Sequence, residues 1–116
     1  MSNQKIETRT IRELCEALNL LESPDEFRRF LTDLCTPMEL VAMADRWRVA
    51  KQLAREVPYR RIYEKTGVST ATVTRVARSM TRGEGGYMLL INRLGRQVGR
   101  HEDESKSVTK EGDLES

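Results

Sequence analysis

Several serine and threonine residues, an alanine and an arginine follow within eight residues of Gly67. Serine and threonine hydroxyls hydrogen-bond phosphate oxygens and base edges, and the methyl groups of alanine and threonine can contact the methyl of thymine. Arginine binds phosphate or donates paired hydrogen bonds to guanine. This mixture of groups indicates a surface that reads DNA. The run consists of Ser69, Thr70, Ala71, Thr72, Thr74 and Arg75.

Catalytic and metal-binding arrangements find no support in the sequence. The one histidine, His101, lies in a polar C-terminal stretch, so no Ser/His/Asp or Cys/His site can be assembled. Cys15 and Cys35 lack the Cys-x-x-Cys spacing of a metal site. We therefore expect a protein that is not an enzyme and needs neither a metal nor a cofactor.

The elements that would position the DNA-reading groups have the spacing of a helix-turn-helix. Ile62 lies five residues before Gly67, and Val73 and Val76 follow on a second helix that Ser69 can cap. Apolar contacts of this kind hold two helices at a steep angle, and the glycine permits the turn between them. The outward side chains of the second helix are then free to enter a major groove. Further arginines extend this surface at Arg60, Arg61, Arg78 and Arg82.

One residue of this motif is unusually large. Tyr63 occupies the position four residues before Gly67, where a small side chain is usual. We expect the two helices to pack slightly apart at that point.

Helical periodicity covers most of the remaining chain, and no segment shows the alternation of a strand. Ser/Thr-x-x-Glu capping boxes predict three helix starts, at Thr10, Ser23 and Thr36. Helix three should end near Val57, and a short sixth helix should cover 87–94. The sequence therefore predicts six helices. The residues expected on the inner face of helix three are Leu40, Val41, Ala44, Trp47, Ala50, Leu53 and Ala54.

The net charge of +2 conceals three blocks with different charges. Residues 1–45 carry a net charge of −4, residues 46–100 carry 13 basic and 3 acidic side chains, and residues 101–116 carry a net charge of −4. The basic middle block creates a potential that attracts polyanions, chiefly nucleic acid. The alternative is that these basic side chains form an ordinary solvated surface of the protein.

The length of 116 residues allows one domain. We predict a flexible N-terminal arm over 1–9, a helical domain over 10–95 and a disordered polar and acidic tail over 96–116. No apolar run approaches the roughly 20 residues that span a bilayer. The first residues lack the build of a signal peptide, so we expect a cytoplasmic protein without membrane contact.

The apolar side chains of helices one, two and six exceed what one small helical unit can cover. Burial of these side chains across a second copy of the chain would remove them from water. We therefore expect an obligate homodimer, and the alternative is a self-contained six-helix monomer.

The run 66–75, preceded by the segment 34–39 and by Arg46, resembles the tryptophan repressor superfamily, especially its small branch of YerC/YecD-type proteins. The similarity spans about residues 10–95. It implies an all-α fold in which six helices form an intertwined homodimer. Two helix-turn-helix heads would then face successive major grooves of a palindromic operator. The function implied is that of a sequence-specific transcriptional regulator, in most cases a repressor.

The resemblance also implies a possible effector slot. In the tryptophan repressor an indole lies between two arginines, and the matching positions here are Arg46 and Arg75, with Thr36 and Ser79 near the matching polar contacts. The alternative is that both arginines contact DNA phosphates or pair with the carboxylates of helix three, Asp45 and Glu39.

Val76 stands where the tryptophan repressor has a glycine beside the bound ligand. A branched side chain at this position would narrow the slot. We therefore expect no response to tryptophan, and either a different, unknown effector or regulation without a ligand.

A second function remains open. The segment 36–77 resembles, more loosely, the promoter-reading end of a sigma factor, which would make the chain an interaction module that docks on the transcription machinery without recognising an operator itself. That interpretation assigns no role to helices one, two and six, which were expected to form the dimer. The oligomeric state therefore discriminates between the two functions, and the sequence favours the regulator.

Overall fold

The computed structural model describes residues 2–104, with the side chains of residue 5 and of residues 7–97. Over residues 2–104 the chain forms six α-helices and no strand, which confirms the predicted all-α fold. The helices are α1 (Ser2–Leu18), α2 (Pro24–Leu34), α3 (Pro37–Ala54), α4 (Tyr59–Thr66), α5 (Thr70–Arg82) and α6 (Gly86–Glu104).

The chain divides into two compact units, Met1–Met43 and Ala44–Ser116, and α3 runs through the division. Among the described side chains of the N-terminal unit, none is buried. Large apolar side chains are instead exposed, with Ile11 at 62% and Leu20 at 78% of full exposure. The described side chains of this unit therefore form no hydrophobic core within a single chain.

The C-terminal unit has a compact apolar core, to which α3, α4 and α5 contribute. Its fully buried members are small or β-branched side chains, which let the short helices approach closely. The buried residues are Val49, Ala50, Ile62, Val68, Val73 and Val76. Larger, partly buried residues pack around them, namely Trp47, Leu53, Val57, Met80, Tyr87 and Ile91.

Trp47 packs against this core, as predicted for an apolar anchor. Its ring also lies under the ammonium group of Lys51, with Nζ 5.6 Å from the ring centroid. That distance is within the range of a cation–π interaction, which adds to the packing of this turn of α3.

Two of the three predicted capping boxes stand at helix starts. The backbone N–H of Thr36 donates to Oε1 of Glu39 (2.8 Å), and the N–H of Glu39 donates to Oγ1 of Thr36 (3.1 Å). Ser23 Oγ accepts from the N–H of Glu26 at 3.2 Å. Both boxes satisfy backbone groups that have no partner within the helix. The predicted starts of α2 and α3 are therefore confirmed.

The first and last helices are longer than the sequence analysis predicted. α1 begins at Ser2, so Thr10 lies inside it and residues 2–9 are helical where an arm was expected. The segment contains no glycine or proline that would end a helix. α6 continues to Glu104, through the first part of the predicted tail, and residues 105–116 lie outside the described residues.

The inner face of α3 differs from the prediction. Val41, Ala44 and Ala54 are exposed, whereas Val49, which the periodicity did not select, is fully buried. The reason is that α3 packs into a core only within the C-terminal unit, where Val49 and Ala50 are both covered. The helix also ends at Ala54, earlier than predicted, because Glu56 adopts a left-handed conformation with φ of 60°.

Candidate nucleic-acid interface

The turn between α4 and α5 is held by its own hydrogen bonds. Gly67 ends α4 with φ of 75°, a left-handed conformation that glycine adopts without strain, and its N–H donates to the carbonyl of Tyr63 at 2.8 Å. The hydroxyl of Thr66 donates to the carbonyl of Ile62 (2.7 Å) and accepts from the N–H of Val68 (3.1 Å). The turn therefore has a defined geometry.

The predicted contacts between α4 and α5 are confirmed. Ile62, Val73 and Val76 are each at most 1% exposed, and Val68 in the turn is also buried. Tyr63 is 51% exposed, so its ring does not lie between the helices and supplies no reason for the expected separation at this position. Ile62, the neighbouring residue, is the one that faces α5.

Ser69 and Thr72 form a hydrogen-bonded cap at the start of α5. Ser69 Oγ accepts from the backbone N–H of Thr72 at 3.2 Å and donates to Oγ1 of Thr72 at 3.1 Å. The side chain of Thr72 is partly buried. The predicted cap by Ser69 is therefore confirmed, and the bond between the two hydroxyls is a contact that the residue types alone did not reveal.

The other candidate residues of α5 are exposed and share one side of the helix. α5 contains no acidic residue, and within the described residues Arg75 and Arg78 form no ion pair. Their guanidinium groups are thus available to an outside acceptor. The exposed candidates are Thr70, Ala71, Thr74, Arg75 and Arg78.

α4 contributes a second basic surface at its first turn. Arg60 and Arg61 are both exposed, and Arg60 Nε lies 3.8 Å from a carboxylate oxygen of Glu64. The rings of Tyr59 and Tyr63 are also exposed, one helical turn apart. These tyrosines were not predicted as contact residues, although their i, i+4 spacing on a short basic helix was a usable signal.

The four residues of the predicted effector slot fall into different parts of the chain. Thr36 lies in the N-terminal unit, where it caps α3, whereas the other three lie in the C-terminal unit. Arg46 is partly buried on α3, and Arg75 and Ser79 are exposed on neighbouring turns of α5. Val76, between them in sequence, is buried in the core.

The carboxylates that were considered as partners of Arg46 and Arg75 have other partners. Asp45 pairs with Arg48 at 3.3 Å, and Glu39 accepts the N–H of Thr36. Arg46 and Arg75 form no ion pair within the part of the chain that the structure describes.

The described residues include no group of three or more His, Cys, Asp or Glu side chains that could hold a metal ion. None of the helices in the same part of the chain has the length and hydrophobicity needed to cross a membrane.

Comparisons with known proteins agree with this geometry. Residues 9–95 match the family model described as Trp repressor protein. The chain is 34% identical over 94 residues to the uncharacterised protein YerC of Bacillus subtilis (strain 168), a match that covers 81% of this chain and 90% of YerC.

Two solved structures are similar along most of their length. A TrpR-like protein from Eubacterium eligens ATCC 27750 has a TM-score of 0.74 and 40% identity, covering 79% of this chain and 95% of that one. A candidate Trp repressor from Staphylococcus aureus has a TM-score of 0.73 and 34% identity, covering 82% and 95%. These matches confirm the resemblance seen in the sequence, and the chain belongs to the Trp repressor protein family.

Proposed function

We propose that the protein is a homodimeric, sequence-specific DNA-binding transcriptional regulator, and that it represses transcription. The observation that carries the proposal is the exposed side of α5, which is basic, rich in hydroxyls and free of carboxylates. This side lies opposite the buried Val73 and Val76, so a packed core supports it from behind.

The pair α4 and α5 acts in this proposal as a helix-turn-helix. The left-handed Gly67, the buried Ile62 and the capped start of α5 support this role, because each reduces the freedom of α5 relative to α4. A recognition helix held in this way enters the major groove with its N-terminal residues foremost. The arginines at the start of α4 then lie on the phosphate-binding part of the same head.

The dimer is supported by the apolar surface that a single chain leaves in water. The N-terminal unit has no buried residue among its described side chains, and α6 exposes Leu89 and Leu90 by half or more. Contiguous apolar surface on a soluble protein marks an interaction site. A second copy with twofold symmetry supplies a matching surface and also places a second head for a palindromic site.

Effector binding through Thr36, Arg46, Arg75 and Ser79 remains a prediction. Val76 places an isopropyl group in the core, where a glycine would leave space. This supports a head that is assembled without tryptophan. We expect that millimolar tryptophan leaves the affinity for the operator unchanged, as measured by fluorescence anisotropy with and without the amino acid.

The proposal is tested by selecting bound sequences from a random pool of duplex DNA at near-physiological salt. The expected result is a palindromic motif with half-sites about one helical turn apart. A pool without any motif, bound only through contacts that disappear as salt rises, would mean that the basic surface is a generic polyanion site.

The mass of the protein in solution addresses the alternative interaction module. Sedimentation equilibrium should give the mass of two chains at micromolar concentration. A mass of one chain, together with no selected motif, would favour docking on the transcription machinery.

A further inference from the structure

We infer that three residues on the exposed side of α5 divide the contacts with each half-site, two of them with bases and one with a phosphate. Ala71 contacts a thymine methyl, Arg75 donates to O6 and N7 of a guanine, and Arg78 binds a phosphate without reading sequence. The inference rests on the proposed function and deepens it, because it assigns the bases that this head selects.

The three residues lie on one stripe of the helix. Successive residues of an α-helix are rotated by about 100°, so Ala71, Arg75 and Arg78 fall within a sector of about 60°. The centre of that sector is nearly opposite the buried Val73 and Val76. We call Ala71, Arg75 and Arg78 the reading stripe.

Two hydroxyls at the start of α5 are already in use. The hydroxyl of Ser69 accepts the backbone N–H of Thr72 and donates to the hydroxyl of Thr72. A hydroxyl that caps the helix in this way is a poor base reader, because a base contact would have to compete with the cap. Ser69 and Thr72 are therefore positioning residues, which hold the first turn of α5 at a fixed approach to the groove.

Ala71 is the second residue of α5 and its side chain is a single exposed methyl group. A small side chain in the leading turn lets the helix backbone approach the base edges closely. Of the four bases, only thymine presents a methyl group in the major groove, and an alanine methyl packs against it. Ala71 has no polar atom with which to read any other base.

Arg75 and Arg78 lie at different distances from the leading end of α5. Arg75 lies about 6 Å along the helix axis from Ala71, whereas Arg78 lies about 10 Å away, one turn further from the leading end. A guanidinium in the second turn reaches the base edges, and one in the third turn reaches the phosphates that border the groove. Neither forms an ion pair within the described residues, so both have donors available.

The test uses the full chain and the operator found by selection. Binding of every single-base variant of one half-site is measured at several salt concentrations for the parent protein, Arg75→Ala, Arg75→Lys and Arg78→Ala. We expect Arg75→Ala and Arg75→Lys to reduce the preference for guanine about tenfold at one position. Lysine keeps the charge but cannot form the paired hydrogen bonds.

Arg78→Ala serves as the matched comparison. It should weaken binding by a similar factor for every sequence and lower the salt dependence by about one released ion. If Arg78→Ala changed the base preference while Arg75→Lys left it intact, the assignment of the two arginines would be overturned. Thermal unfolding of each variant verifies that the head is folded.

The methyl contact is tested by replacing each thymine of the half-site with deoxyuridine, which lacks only the methyl group. For the parent protein, one replacement should weaken binding about three- to tenfold, and for Ala71→Gly the same replacement should have no effect. An equal penalty in both proteins would overturn the role of Ala71. If the parent protein selects no motif, the proposed function itself is overturned. If it selects a motif, but neither the Arg75 variants nor the replacement of thymine changes binding, only this assignment is overturned.

Discussion

Side chains of one type have different roles within a few residues of α5. The hydroxyl of Ser69 accepts a backbone N–H just before α5, whereas Ser79 lies inside the helix, away from its start. The residue type cannot distinguish them, because a serine caps a helix only where the backbone turns into it. The local hydrogen bond therefore decides which serine matters for stability.

Replacement of Ser69 by alanine should lower the free energy of unfolding by about 1 kcal/mol, because it removes the cap of α5. Urea denaturation followed by circular dichroism measures this change. Ser79→Ala is the matched control and should leave stability unchanged or slightly higher, since alanine is the better helix former. If both variants lost the same free energy of unfolding, the capping role of Ser69 would be contradicted.

Glu56 adopts a left-handed backbone conformation although it carries a side chain. Its N–H donates to the carbonyl of Leu53, and the N–H of Val57 donates to that of Gln52, so the end of α3 resembles a glycine-terminated helix. A residue with a β-carbon is strained there, and glycine would not be.

We expect Glu56→Gly to raise the free energy of unfolding by about 0.5–1 kcal/mol, since it relieves the left-handed strain at some cost in chain entropy. Differential scanning calorimetry would register this as a higher Tm. Glu56→Ala removes the same charge and retains the β-carbon, so a gain in that variant too would point to charge rather than strain.

At the scale of elements, the turn between α4 and α5 depends on one glycine. A β-carbon at Gly67 would meet no heavy atom within 4 Å, but the backbone there has φ of +75°. The need for glycine is therefore conformational rather than steric.

Gly67→Ala should lower the free energy of unfolding by about 1–2 kcal/mol and weaken DNA binding, because the turn has to hold a left-handed residue. Gly67→Asn should lower the free energy of unfolding by less, since asparagine tolerates this conformation. Gly86→Ala, at the start of α6, has neither positive φ nor a close neighbour and should cost nothing. Equal destabilisation by Gly67→Ala and Gly86→Ala in urea titrations would exclude this explanation.

The sequence was most informative where structure is local. The starts of α2 and α3 and the apolar contacts of α4 with α5 follow from spacing over a few residues, and each is confirmed. Apart from the partly buried Thr72, the candidate DNA contacts on α5 are exposed, although contact itself stays a prediction.

Packing between residues that are distant in the sequence was harder to predict. Periodicity placed Val41 on the inner face of α3 and omitted Val49, because it cannot show which part of a helix meets a core. It also started α1 at Thr10, since a Thr-x-x-Glu pattern occurs inside helices as well as at their ends. The cap of α5 by Ser69 was predicted and is confirmed, whereas the bond from Ser69 Oγ to Thr72 Oγ1 needed the direction of two hydroxyls, which spacing does not contain.

At the scale of the whole molecule, the two units of the chain differ in what they bury. The C-terminal unit has a core of six buried apolar residues, whereas the N-terminal unit has none among its described side chains. Ile11 and Val41 are each at least 60% exposed in a single chain. In the proposed dimer, these surfaces are covered by the second copy.

A tenfold increase in protein concentration should therefore raise Tm by about 3–5 °C, because the proposed folded state contains two chains and the unfolded state one. Ile11→Asp should lower Tm and shift the mass towards one chain, although the same change on an exposed monomer surface would be harmless. Arg9→Asp, elsewhere on α1, is the control. A Tm that does not vary with concentration would contradict the obligate dimer.

The missing core of the N-terminal unit also affects how long a newly made chain survives. A chain that has not found its partner exposes a helical segment without tertiary protection, which makes it a substrate for proteases. In the proposed dimer, paired chains would be protected, so their lifetime would increase with their own abundance. The amount of the proposed regulator would then rise more steeply than its rate of synthesis, and the genes it controls would respond to its production as to a threshold.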